Sequence, residues 1–290
     1  MNDGSTDHCE EIINEYCKNH KNIVYLYQEN SGVSCARNLA LEHITGDYVT
    51  FVDSDDYVDS LYCISMLNGI IENTADICTC RAIDHHIEKK GDDRCFPESN
   101  NVKILSSDEY SFFDDSLQKA VCCVLFRRSI VEGIRFRTDI YVSEDSVFLA
   151  ECIHKAQKIA VLYKNLYHYI IFPSSTSHGI YDEKKKTELI AWNLISKINN
   201  DKKFVYETCR ARYADRCLKV IRKYHFNMGV EKNYYKYACK EFRKNTKYIF
   251  SVNRKKPFHT RIVENVAYFL FSIFPWSYPL YYYARYKEKS

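Results

Sequence analysis

The sequence predicts an α/β fold over residues 1–180, a parallel sheet built from alternating strands and helices, followed by a basic helical region. Three observations predict it. Short apolar segments alternate with amphipathic helical patterns between Asp7 and Val52. That alternation ends after Pro173, where three further helical patterns follow one another. Charge divides at nearly the same point, with 16 Lys+Arg against 28 Asp+Glu in residues 1–180 and 25 against 10 in residues 181–290. At 290 residues and 46% hydrophobic content, the chain is long enough to bury one substantial core.

Asp7 to His20 reads as a helix, with Ser5, Thr6 and Asp7 as N-cap candidates, Glu10 and Glu11 at its positive end, and an apolar stripe of Ile12, Ile13, Tyr16 and Cys17. A strand is expected over Ile23 to Tyr27. After the turn residues Asn30-Ser31-Gly32, a second helix is expected through Ala36, Leu39 and Ala40 to Ile44, closed by Gly46. Tyr48 to Val52 reads as an apolar strand that stops at the acidic cluster Asp53-Ser54-Asp55-Asp56. In a parallel α/β sheet, ligands bind beyond the carboxyl ends of strands, where this cluster lies.

Further strands are expected at Asp76 to Ile83 and Ala120 to Arg127, separated by a polar loop or hairpin from Asp84 to Asn101. A helix is expected from Ser143, its possible N-cap, through Val147, Leu149, Ala150, Ile153 and Ala156. The three later helical patterns run near Glu183 to Ile198, Phe204 to Tyr224 and Glu231 to Phe250, with basic residues on their outer faces. The chain thus divides into residues 1–180, a basic helical region at 181–256, and an aromatic segment at 257–290.

That last segment holds an uncharged run from Val266 to Ala284, with Phe269, Phe271, Phe274, Trp276 and Tyr281-Tyr282-Tyr283. About 20 residues can cross a bilayer. Pro275 and Pro279 interrupt the run and its aromatics are spread along it, so a surface-lying anchor is favoured over a span. A buried helix pair is the alternative. The 13 cysteines are an odd number without metal-ligand spacing, and they read as small core hydrophobes in a reducing cytosol. The basic half suits a polyanionic surface, and no known nucleic-acid module is present, so an anionic membrane surface is expected and nucleic acid is not.

Asp53, Asp55 and Asp56 repel one another unless a cation sits among them. At a strand end, residues i and i+2 face the same way, so Asp53 and Asp55 can share one ligand while Asp56 points elsewhere. A Mg²⁺ or Mn²⁺ completed by diphosphate oxygens suits such a pair, and an acidic turn or helix cap is the other reading.

Four segments in order, Asn2-Asp3-Gly4-Ser5-Thr6-Asp7, Asn30 to Asn38, Gly46 to Asp56, and Glu144-Asp145, resemble the ordered motifs of family 2 glycosyltransferases. The resemblance covers residues 1–180 and the helical tail only loosely. It implies a GT-A fold, a Rossmann-like sheet of the nucleotide-diphospho-sugar transferase kind with a C-terminal helical region. By the same resemblance, Asp3 contacts the nucleotide base, and Asp53 and Asp55 form the metal motif, with Asp55 as principal ligand. Arg37 occupies the arginine of the Ala36-Arg37-Asn38 turn, and Asp145 is the catalytic base, with Glu144 next in line. A carboxylate in the first turn of a helix is expected to stay ionised there. Tyr167-His168-Tyr169 to His178 resembles a segment bordering the active site, with His178 able to touch metal or diphosphate.

The activity implied is inverting transfer of a sugar from a nucleotide-diphosphate sugar, a UDP-sugar above all, to a hydroxyl of a glycan or lipid-linked acceptor in cell-surface polysaccharide synthesis. The cofactor is Mn²⁺ or Mg²⁺, and the location is cytoplasmic, peripheral on the inner face of the membrane. Relatives carry a strand, helix and strand before the first aspartate motif where this chain has only Met1. The sheet is therefore expected to lack its first strands, through a misassigned start or a degraded copy. Val124 and Ile170 also stand where lysine and arginine are usual in relatives. The alternative function is a catalytically inactive fragment acting as a binding module.

Overall fold

The structure, a computed structural model, describes residues 1–87, 93, 95–110, 120–172, 181–253 and 258–279, with the backbone alone at 253 and 258–263. Its first unit is small. Strands β1 (Asn2–Asp3) and β2 (Tyr27–Gln28) pair in parallel around helix α1 (Cys9–Asn19). The expected strand at Ile23 to Tyr27 is reduced to this two-residue pairing, because β2 has a neighbour on one edge only among the described residues. Helix α1 has its predicted apolar stripe, yet none of its residues is buried, and Ile12 and Tyr16 face solvent. Its N-cap is His8, without a side-chain cap bond, while Asp7 accepts from the Cys9 amide at 3.0 Å.

Helix α2 (Val33–Glu42) leads to β3 (Tyr48–Thr50), and here the expected continuous parallel sheet is corrected. β3 belongs to a second, six-stranded sheet, and among the described residues no ladder joins it to β1 or β2. This sheet runs β3, β7 (Val124–Arg127), β5 (Ile77–His86), β8 (Lys158–Ile171), β4 (Tyr57–Val58), with β6 (Val102–Ser106) also on β8. Only β5 and β8 run parallel; every other pairing is antiparallel. Alternation of strand and helix along a sequence does not specify which strands become neighbours.

β8, at 14 residues, is the longest strand, and it pairs with three others. The sequence reading places no strand there. The segment expected as a strand from Ala120 begins instead as a 3₁₀ turn, Val121–Cys123, before β7. β5 runs on to His86, three residues beyond its expected end.

Helix α3 (Tyr62–Asn73) covers one side of the sheet, packing Tyr62, Met66 and Ile70 against Cys78, Cys80, Leu162 and Tyr167. Gly69 permits this contact, since a Cβ there would stand 2.7 Å from the Cys78 sulfur. A larger core runs from Leu41 and Val49 through Phe126 and Phe148 into the helices. The short α4 (Arg128–Val131) packs on α5 (Glu144–Lys155), and α5 lies beside α6 (Glu183–Ile198), followed by α7 (Lys203–His225), α8 (Lys232–Asn253) and α9 (Phe258–Ile273). Trp192, Leu218, Phe242 and Phe271 extend the same core through them.

The expectation that basic residues of these helices all face outward is corrected at Arg210 and Lys223, which are buried. Arg210 is held there by Asn193 at 2.8 Å and Asn245 at 2.6 Å, so its donors are satisfied without water. All 13 cysteines are free, and Cys78, Cys80, Cys122 and Cys123 are core residues as expected.

Candidate active site

Three separate parts of the chain meet at Arg37. The side chain leaves α2 and is 13% exposed. It donates to Asp53 Oδ1 at 2.8 Å, just beyond β3, and to Glu144 Oε1 at 3.2 Å, at the first residue of α5. Beneath it lies the Phe136 ring, 5.3 Å from the guanidinium, within a cluster of Phe51, Phe126, Phe136 and Phe148. Burial works against the Arg37 charge, but Asp53, Glu144 and Asp145 outweigh it and raise its pKa.

The neighbouring residue Asn38 has another role. Its amide nitrogen donates to the Phe136 carbonyl at 2.9 Å, and its oxygen accepts from the Phe136 amide at 2.8 Å. The Arg37-Asn38 pair therefore fixes both the carboxylates and the aromatic floor of the site.

Beside this hub is a cavity of about 380 Å³, lined by Asp53, Ala82, Cys122, Ser143, Asp145, Tyr167 and Tyr169, among others. Ser143 caps α5 in the left-handed region, at φ 68, where a residue other than Gly costs of order 1 kcal/mol or more. The expected side-chain cap bond from Ser143 is not made. Asp145 instead accepts from the Ser146 amide at 2.6 Å and from its hydroxyl at 3.3 Å.

Burial raises the pKa of Asp145, against the pull of Arg37 and of the Ser146 bonds. The helix start does not by itself set the pKa of this carboxyl, because desolvation prevails over the dipole. Glu144 is pushed up to about 7, by burial first and by Asp145 second.

The acidic turn divides its labour. The strand ends at Thr50, so the placement of the aspartates comes from a turn and not from strand alternation. Asp56 is bound into β8: its carboxylate accepts from the Tyr167 hydroxyl at 2.6 Å and from the Ile170 amide at 2.8 Å. The same Tyr167 oxygen accepts from the Asp53 amide at 3.2 Å. Burial, with Asp55 and Asp53 adding, raises the pKa of Asp56 despite these bonds.

Asp55 stands exposed at the tip of the turn. Among the described residues no three His, Cys, Asp or Glu side chains converge to hold a cation by themselves. The donor set of Asp55 and the Arg37-bound Asp53 fits a hard cation that takes one or two carboxylates and fills the rest of its shell with phosphate oxygens and water.

Asp3 lies on the smaller unit. Its carboxylate accepts from Gln28 at 2.7 Å and from the amides of Ser31 and Gly32, each at 2.9 Å. These bonds lower its pKa in spite of burial. A carboxylate has about four acceptor sites, so Asp3 keeps room for one more donor. Gly4, at φ 76, allows the close approach of Asn30, whose nitrogen would meet a Cβ at 2.6 Å. His178 lies outside the described residues.

The structure brings Arg37, Asp53, Glu144 and Asp145 to one place, with Asp55 on the adjoining turn; Asp3 borders the turn that starts α2. Sequence reasoning assigned no role to Asn38 or Tyr167. Both lie inside motif segments, but their function depends on partners about a hundred residues away, which no local pattern encodes.

A mixed sheet with an acidic turn, an arginine hub and a helix-borne carboxylate pair beside a cavity is the arrangement expected of a GT-A type of α/β protein. Residues 1–135 match the model of the family described as Glycosyl transferase family 2.

The chain is 31% identical over 197 residues to Glycosyltransferase GlyA of Streptococcus pneumoniae, covering 63% of this chain and 27% of that protein. It is 29% identical to the putative glycosyltransferase EpsH of Bacillus subtilis, covering 60% of this chain and 52% of that one. The poly(ribitol-phosphate) beta-glucosyltransferase of Bacillus spizizenii is 31% identical over 175 residues, covering 59% and 26%. The chain thus spans between about a quarter and a half of the length of these relatives. Among solved structures, S. aureus TarS 1–349 in complex with UDP-GlcNAc aligns with a TM-score of 0.64 at 18% identity, covering 92% of this chain and 78% of that one. That likeness supports the fold.

Proposed function

We propose that the protein transfers a sugar from a nucleotide-diphosphate sugar, a UDP-sugar, to a hydroxyl group of a glycan or lipid-linked acceptor in the synthesis of a cell-surface polysaccharide. The observation that carries this reading is the convergence of Asp53 and Glu144 on Arg37, beside a cavity that Asp53 and Asp145 line. The UDP-GlcNAc and UDP bound in the TarS structures support the choice of donor. The poly(ribitol-phosphate) beta-glucosyltransferase of Bacillus spizizenii and a minor teichoic acid biosynthesis protein of Bacillus subtilis, both similar to this chain, support the class of acceptor.

Asp53 and Asp55 would hold a Mn²⁺ or Mg²⁺, which supplies positive charge beside the donor diphosphate. Arg37 orients Asp53 and keeps two neighbouring acids tolerable in a half-buried site. Asp3 uses its remaining acceptor capacity on the base.

Asp145 acts as the general base. It takes the proton of the acceptor hydroxyl as that oxygen bonds to the anomeric carbon and the bond to the diphosphate breaks, which inverts the configuration. A base whose pKa is raised toward the working pH is better matched to this task than an ordinary aspartate.

The test is a donor-turnover assay with UDP-GlcNAc, in the presence and absence of a chelator, with Mn²⁺ or Mg²⁺ restored. Turnover is expected to fall to background on chelation and to return with either ion. Turnover unchanged by chelation would remove the metal role of Asp55, and no UDP release under any condition would remove the transferase reading.

A further inference from the structure

We propose that α8 and α9 together form a membrane-docking surface, which lies in the headgroup layer of an anionic lipid bilayer without crossing it. Among the described residues no helix is long and apolar enough to span.

α9 has two faces. Phe271 is buried, with Ala267, Tyr268 and Tyr278 packed beside it against the core. On the other face, Val266, Phe269, Leu270, Ile273 and Phe274 follow one another at helical spacing, and Trp276 follows in the turn beyond; each is 46–55% exposed. Six large apolar side chains in a row is more than the isolated surface apolars of ordinary proteins.

α8 supplies the complementary charge. Lys232, Lys236, Lys240, Arg243, Lys244 and Lys247 are all exposed, and at about 100° per residue they fall within one third of the helix circumference. None of the six forms an ion pair among the described residues, and Glu241 turns inward, to the Tyr213 hydroxyl at 3.3 Å. Arg243 donates to the carbonyl of Ser272 at 2.7 Å, which joins the cationic stripe to the end of the apolar one.

Four cations of α6 and α7 are used differently. Lys219 and Arg216 pair with Glu188, Lys186 pairs with Glu183 and Glu231, and Arg210 is buried. Lys184, Lys197 and Lys203 are exposed as well, but they stand apart from one another, so the continuous cationic stripe is that of α8.

The two stripes together select the occupant. A nucleic acid would neutralise α8 and leave the aromatic stripe in water. A second copy of the chain would cover the aromatic stripe but bring two cationic stripes together. A bilayer with anionic headgroups satisfies both, as an interfacial helix with an aromatic face and basic flank does.

Trp276 offers a direct readout, since the other tryptophan, Trp192, is already buried. The full chain is mixed with phosphatidylcholine vesicles, with and without phosphatidylglycerol, and followed by flotation and by tryptophan emission. Flotation with the anionic vesicles and a blue shift are expected, and Trp276→Phe should lose the shift while still floating. The double variants Phe269→Ser with Ile273→Ser, and Lys240→Glu with Lys244→Glu, change only exposed positions and should melt like the wild type. Each should lower vesicle partition by at least about tenfold. Absence of flotation with anionic vesicles would overturn the proposal, as would flotation undiminished in both double variants. A vesicle-insensitive dimer dispersed by the Phe269 and Ile273 changes would also overturn it, in favour of a contact between copies.

Discussion

Arg37 is the residue on which the site depends, because without it Asp53, Glu144 and Asp145 would crowd one another with no counter-charge. Roles within the acid pair can be separated by substitution. Asp145→Asn keeps size and polarity but removes the base, so turnover should fall about a hundredfold or more while donor affinity, measured by calorimetry, stays within about twofold. Equal turnover would pass the role to Glu144.

Glu144 leaves a mark on stability as well. Its carboxyl is raised from 4.5 to about 7, so the folded state holds a proton that the unfolded state has already released over this interval. Stability should therefore fall as pH rises from about 4.5 to 7, by at most about 3 kcal/mol. Glu144→Gln should flatten that slope in thermal melts, and an unchanged slope would assign it elsewhere. Arg37, Asp53 and Asp145 were legible because each sits in a short motif with distinctive neighbours. Asn38 and Tyr167 were not, since a sequence shows that an amide or a phenol is present but not which distant backbone group it meets.

At the scale of elements, the acidic turn is held in place by β8, through one phenol oxygen between Asp53 and Asp56. Tyr167→Phe keeps the ring and its contact with Tyr62 but removes that link. A half-buried carboxylate then loses one of two partners, at a cost of about 1–3 kcal/mol. A lower denaturant midpoint together with weaker donor binding is expected; a lower midpoint with unchanged donor binding would mean that the turn holds its form unaided.

The helices α5, α6, α7 and α8 fall within a few residues of their expected limits, because long amphipathic periods identify themselves. The strands do less well. β4 and β6 are short, and β8 carries Lys158, Lys164 and Asn165 among its apolar residues, so no alternation marks it. Its stability comes from three neighbouring strands, which is information held by the fold and not by the segment.

For the whole molecule, one core runs without a break from Leu41 on α2 to Phe271 on α9. Phe148 lies near its middle, fully buried, stacked on Phe136 at 4.0 Å and edge-on to Phe51 and Phe126. α5, which carries Phe148, packs next to α6, so a change at this position is felt by both the sheet and the helical layer. Trp192 on α6 reports the helical layer by fluorescence once Trp276 is replaced by Phe, and far-UV circular dichroism reports the chain as a whole. Because the two layers share a core, both probes should trace the same denaturant transition. Phe148→Ala removes the packing at the join and should cost about 3–5 kcal/mol. It should shift both curves equally to lower denaturant. A variant whose circular dichroism moves while the Trp192 transition stays in place would show that the helical layer is stable by itself, and that the continuous core is a contact between two independently folding parts.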